Sequence, residues 1–187
     1  MGIMLMPNAT AALDGRWYSL HLFGRRLTSY TMTECFRILE SGGVCGISTW
    51  ETVGWMPDVR EAFATITGAP PFPDHKTLQS SLGDGGQWYR SEYVKQKLAD
   101  HGFEGIKVEV VPSPVTFDNV PAFVEHFLAM STQFTAKFWS KDDHAKYSGE
   151  IKPALMKHMT KKYPEGHAAE LTKATQMMAI VASARKP

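Results

Sequence analysis

Apolar positions along the chain recur first with a helical and then with a strand period, and the order of those changes predicts an α/β chain. Cys35, Phe36, Ile38 and Leu39 mark the apolar face of a helix that Thr31 caps, with Glu34 three residues on reaching back, and that runs to about Glu40. Ser41-Gly42-Gly43 ends it, because a left-handed cap favours a residue without Cβ. Val44-Cys45-Gly46-Ile47-Ser48-Thr49-Trp50 is short, mostly apolar and β-branched, the pattern of a strand covered on both faces. Pro57 suits the first turn of the next helix, where Val59, Ala62, Phe63 and Ile66 repeat at helical spacing. Residues 68–87 have no period and read as a long connection, of the kind that is usually functional or mobile.

Ser91 caps a helix through His101 in which Val94 and Leu98 lie one turn apart, and Gly102-Phe103 supplies its terminal glycine and the contact after it. Ile106, Val108 and Val110 then alternate with Lys107 and Glu109, so that strand has one wet face and belongs near a sheet edge. Asp118 or Asn119 caps a long helix carrying Phe123, Phe127, Phe134 and Phe138, and a second helical stretch runs over about 142–162, with Pro153 kinking or restarting it. Met177-Met178-Ala179-Ile180-Val181-Ala182, closed by Ser183, Arg185 and Lys186, reads as a central strand. There is no internal repeat and no low-complexity tract.

Composition narrows the function without naming it. With 187 residues, 43% of them hydrophobic, the chain builds one core in a single domain over 1–187. A net charge of +1 leaves no global field for nucleic acid or an anionic membrane. The local basic cluster, residues 157–162 with His158 inside it, is interleaved with Met156 and Met159 and reads as the solvated side of a helix. Two cysteines make no disulfide framework, which fits a reduced, cytoplasmic protein. Residues 1–6 are too short and uncharged for a secretory signal, and no apolar run reaches the roughly 18 residues of a membrane span. Met6 stands where a myristoylation signal has Ser or Thr, and the sequon Asn8-Ala9-Thr10 has no secretory context.

Taken in order, the helix ending Leu39-Glu40-Ser41-Gly42-Gly43, the buried strand to Trp50, the Gly102-Phe103 pair, the alternating strand and the closing apolar strand resemble the C-terminal half of a class I S-adenosylmethionine-dependent methyltransferase of the type 11 kind. Ser41 replaces the proline of the family's Leu-x-Pro-Gly-Gly turn. The resemblance implies an incomplete Rossmann-like sheet: the end of the fourth strand in residues 1–7, the fifth at 44–50, the sixth at 106–110, and an antiparallel seventh at 177–182 inserted between them. It also implies that the glycine-rich turn of the first strand and the acidic residue after the second, which grip the cofactor, are missing by N-terminal truncation. Leu82-Gly83-Asp84-Gly85-Gly86 does not replace that turn, since a polar segment precedes it and no helix opens after it. Residues 15–30 have no counterpart and read as a non-family insertion, for which a translated intron or other gene-model error is one origin.

What the resemblance implies chemically is methyl transfer from S-adenosylmethionine to a small molecule, with fungal secondary-metabolite enzymes as the nearest flavour. Gly2 and Ile3 fall on the cofactor side; Thr49, Trp50, Trp55 and Trp88 form the substrate wall, with Glu51 and Tyr89 beside them. For each tryptophan the competing role is packing. Methyl transfer is governed by alignment and exclusion of water, so no catalytic residue is singled out. Asp142-Asp143-His144 is explained by the helix dipole, and no metal site is expected. The alternative function is a catalytically inactive methyltransferase-like fragment that binds or interacts. A complementing chain, or self-association through an exposed sheet edge, is a further expected partner.

Overall fold

The computed structural model describes residues 2–6, 18–20, 29–81, 85–113 and 115–187. Its elements in chain order are β1 (Gly2–Met6), β2 (Tyr18–Leu20), α1 (Ser29–Ile38), β3 (Val44–Val53), α2 (Met56–Phe63), α3 (His75–Ser81), α4 (Ser91–Asp100), β4 (Glu104–Ser113), α5 (Val120–Phe138), α6 (Lys141–Lys162), α7 (Ala168–Ala174) and β5 (Met177–Arg185). The five strands form one sheet in the order β2-β1-β3-β5-β4. β5 is therefore central, and β4 is an edge, as the alternation of its side chains predicts. The start of β3 lies against the end of β5, through Gly42 N to Lys186 O and Lys186 N to Gly43 O, both 2.8 Å, so the two strands run antiparallel.

β1 departs from the expected arrangement. A doubly wound sheet places a parallel strand beside β3, whereas β1 pairs with β3 antiparallel, from Gly2 opposite Ser48 to Met6 opposite Val44. β2 pairs antiparallel with the other side of β1, so the edge of β3 is covered by the chain's own residues. Apart from Tyr18–Leu20, Ser29 and Tyr30, the expected insertion 15–30 lies outside the described residues, as do the sequon 8–10 and residues 82–84 of the rejected glycine segment.

Local chemistry accounts for most boundaries. α1 begins at Ser29, upstream of the expected cap, and Glu34 is held by Arg37 at 2.8 Å. Ile38 is 48% exposed and does not belong to the buried face. Gly102 takes φ of 84°, the left-handed conformation that closes α4, whereas Gly42, at 82°, sits beyond the end of α1 in a separate turn closed by Gly43 N to Glu40 O at 2.9 Å. β3 buries Cys45, Ile47 and Thr49 on one face and leaves Val44, Gly46, Ser48 and Trp50 half-buried, so it is not fully covered on both sides. α3 occupies part of the expected loop and buries Leu78 and Gln79. Ser91 is the first residue of α4 rather than its cap. In β4, Ile106 and Val108 pack on the core, but the half-buried positions then shift to Val111, leaving Val110 exposed. Asn119 caps α5 by accepting from Ala122 N at 2.9 Å, and Ser140 caps α6 by accepting from Asp143 N at 3.0 Å. α6 continues through Pro153 for 22 residues.

The chain divides into two units. In the first, Met32 and Cys35 of α1, Leu39 just beyond it, and Val94 and Leu98 of α4 pack with Trp88, Cys45, Ile47, Ile180 and Ala182. The Cys35 and Cys45 thiols are free, and the hydrogen bond between them, reinforced by burial, pushes the Cys45 thiol up. In the second unit, Phe72 meets the rings of Trp55, Phe63 and Phe127 at 6.3, 5.0 and 6.1 Å between centroids. Gly54, in the link from β3 to α2, lets that link approach the turn from α7 to β5: a Cβ there would stand 2.1 Å from Gln176 O and 2.8 Å from Ala174 O.

Gly54→Ala must therefore shift main chain, and chemical denaturation should show a loss of about 1–3 kcal/mol or more; an unchanged midpoint would show that the turn does not sit there. A second expectation concerns acid. Burial lowers the His75 imidazole below its ordinary 6.5, with Asp74 opposing. The unfolded chain then takes up its proton first, so this stability is complete above about pH 6.5 and is lost as pH falls through the folded value. The denaturation midpoint of the native chain should drop more between about pH 7.5 and about pH 5.5 than that of His75→Gln.

Candidate functional site

In an open α/β sheet a ligand sits beyond the carboxyl ends of strands, which here directs attention to the end of β3. Thr49 is 2% exposed, and its Oγ1 has no hydrogen-bond partner among the described residues. A buried hydroxyl left in that state costs about 1–3 kcal/mol. Trp50 follows it, half-buried. The antiparallel direction of β1 brings its first residues, Gly2 and Ile3, opposite Ser48 and Ile47. The main chain thus gathers four of the six expected site residues, Gly2, Ile3, Thr49 and Trp50, along the β1–β3 pair.

The other two lie in cores. Trp88 is fully buried in the first unit, its ring edge-on to Tyr93 at 5.3 Å. Trp55 is 8% exposed in the second unit, with Phe127 at 5.1 Å and Phe134 at 6.3 Å. Among the described residues, the glycines of left-handed φ are Gly42, Gly68, Gly85, Gly102, Gly105 and Gly166, and none joins a strand to a following helix.

The second unit holds a polar cluster that the sequence reading missed. Asp58, in the first turn of α2, is 2% exposed. Tyr163 donates its hydroxyl to Asp58 Oδ2 at 2.7 Å, and the Lys162 ammonium donates to Oδ1. His158 Nε2 lies 3.5 Å from Asp58 Oδ1 and 3.4 Å from Glu61 Oε2. The basic cluster 157–162 is thus only partly a solvated face: His158 and Lys162 turn inward to these carboxylates. Asp58 holds Lys162 above its ordinary value, and burial followed by Asp58 holds the Tyr163 phenol up. The i, i+3 pair Asp58–Glu61 and the i, i+4 pair His158–Lys162 are visible in sequence, but nothing local relates one pair to the other. Tyr163 also lines a cleft of about 480 Å³ with Asp118, Asn119, Glu165, His167 and Leu171. That volume lies within the range of small-molecule pockets. None of the expected site residues lines it.

No protein-family model matches the chain. It is 30% identical over 154 residues to the acetylaranotin bis-thiomethyltransferase of Aspergillus terreus, a match covering 82% of this chain and 54% of that protein. It is 27% identical over 156 residues to methyltransferase tpcH of Aspergillus fumigatus, covering 83% and 53%. To methyltransferase ktnA of Aspergillus niger the identity is 30% over 156 residues, covering 83% and 49%. The chain spans about half the length of the curated relatives it matches. A solved N-methyltransferase 2 of Haemonchus contortus, in complex with phosphomonomethylethanolamine and S-adenosylhomocysteine, aligns with a TM-score of 0.35 at 17% identity, covering 87% of this chain and 30% of that one. No helix among the described residues is long and apolar enough to cross a membrane.

Asp58→Asn removes the charge that holds Lys162 and weakens the acceptor for Tyr163. Because Lys162 is 45% exposed, only part of a buried pair's worth is at stake. Urea denaturation should show a loss of about 1–3 kcal/mol; a neutral result would mean the cluster contributes no net stability.

Proposed function

We propose, from the premise that this chain belongs to the class I S-adenosylmethionine-dependent methyltransferases and matches their C-terminal part, that it supplies the acceptor side of a site that methylates a small molecule. The observation that carries this reading is the match to three methyltransferases over more than four-fifths of the chain. Their names, one of them a bis-thiomethyltransferase, favour an acceptor of the fungal secondary-metabolite class.

When bound, the cofactor supplies a sulfonium-activated methyl group, displaced in line. A glycine-rich strand-to-helix turn to hold it is not found among the described residues, so the contribution assigned to this chain is mainly the acceptor side. Trp50 provides a flat wall that orients the acceptor and keeps water out. Thr49 lies on the opposite, core-facing side of β3 from Trp50 and supports the wall from beneath, while the main chain at Gly2 and Ile3 on β1 borders the cofactor side. Trp88, buried in the same unit as Trp50, acts as a positioning residue behind the wall. A complementing chain, or a second copy joined through the outer strands β2 or β4, completes the cofactor side. An inactive binding module is the reading that remains if no cofactor binds.

Calorimetric titration of the chain with S-adenosylmethionine and S-adenosylhomocysteine, alongside transfer of labelled methyl to small thiols and phenols, tests the proposal. Binding with transfer is expected where a second copy or a complementing chain completes the cofactor side. Trp50→Ala should weaken ligand affinity by about tenfold, whereas Thr49→Val should leave the melting temperature of the free chain unchanged or higher, because the orphaned hydroxyl is gone. Absence of both heat and label, with the fold intact, would leave the binding-module reading.

A further inference from the structure

We infer that Asp58, Glu61 and His158 form a binding site for a divalent transition metal, best matched to Zn²⁺, that ties α2 to α6. One ligand atom from each of the three residues lies within 4.8 Å of the others. Asp58 and Glu61 share a face of α2 three residues apart, and His158 comes from α6. One imidazole nitrogen and two carboxylates are a ligand set that zinc accepts readily.

The position of His158 is the second observation. Its Nε2 is screened from solvent and has no hydrogen-bond partner among the described residues, yet it faces two carboxylate oxygens at 3.5 and 3.4 Å. Those separations exceed the roughly 2.7–3.2 Å of a good N–H···O bond. They match what a shared ion requires: ligand atoms about 2.0–2.1 Å from a tetrahedral zinc stand about 3.3–3.4 Å apart. A divalent ion placed among the three atoms would be shared by the imidazole nitrogen and both carboxylates.

Two neighbours fit as supports. Tyr163 donates to the other oxygen of Asp58 at 2.7 Å and so fixes the carboxylate from outside the coordination shell. Lys162 bonds to Asp58 Oδ1 and supplies the cluster's resident positive charge, but its side chain is 45% exposed and can swing into water. A divalent ion would displace it. The site then has two carboxylates, one imidazole and an open position for water.

The test uses the full chain, stripped with chelator and titrated with Zn²⁺ against a chromogenic competitor, with Co²⁺ absorption as a second readout. One tight equivalent is expected, with a rise in melting temperature and cobalt bands lacking thiolate charge transfer. His158→Ala and Glu61→Gln should each weaken binding by about tenfold or more; Glu61 is 59% exposed, so that variant tests the ligand without threatening the fold. Lys162→Met, which removes the competing cation, should tighten binding several-fold. Zinc affinity unchanged in both Glu61→Gln and His158→Ala, weaker binding in Lys162→Met, or a thiolate signature in the cobalt spectrum would each overturn the assignment.

Discussion

The first unit depends on one insertion: β5 lies between β3 and β4, so the strand nearest the end of the chain joins segments that follow one another much earlier. Ile180, Ala182 and Ala184 bring a narrow apolar face to the core, and the small alanines leave room for the larger side chains of α1 and α4. The end of the strand is clasped as well. Lys186 exchanges main-chain bonds with Gly42 and Gly43, its ammonium reaches Leu39 O at 2.8 Å, and the same group stands 4.8 Å from the Phe36 ring. Ser41 donates its hydroxyl to the carbonyl of Pro187. The turn between α1 and β3 is thus held from two directions, by its own left-handed glycine and by the last residues of the chain.

The second unit is organised by a different balance. Its aromatic core supplies area without direction, and rings of Phe63, Phe72, Phe127 and Trp139 meet mostly edge to face. Direction comes from Asp58, a buried carboxylate whose ammonium and phenol partners are the last residue of α6 and the one that follows it. Removing a partner from such a group leaves a desolvated charge behind, which is why clusters of this kind register one helix against another even where their net contribution is small.

How much of this was legible follows from the range of the forces involved. The turns at Gly42 and Gly102, the Asn119 cap and the edge character of β4 are local requirements that residues declare themselves. The central place of β5 is legible too, from its unbroken apolar run. The direction of β1 is not, because Gly2–Met6 reads the same forwards and backwards as an apolar strand and only its partner decides the pairing. α3 was hidden by its seven residues, too few for periodicity to show. Trp88 and Trp55 sit next to loops in sequence and therefore look like walls, but an indole buries so much area that core packing claims both. The Asp58–Tyr163 bond spans 105 positions, and no spacing rule reaches that far.

The antiparallel hairpin of β1 and β2 has a kinetic meaning. Any strand from elsewhere that is to lie beside β3 meets an occupied ladder, five register pairs long, and must wait for β1 to leave. Pairing at that position would then have to replace the main-chain bonds that β1 already makes. The chain carries its own competitor for the place beside β3.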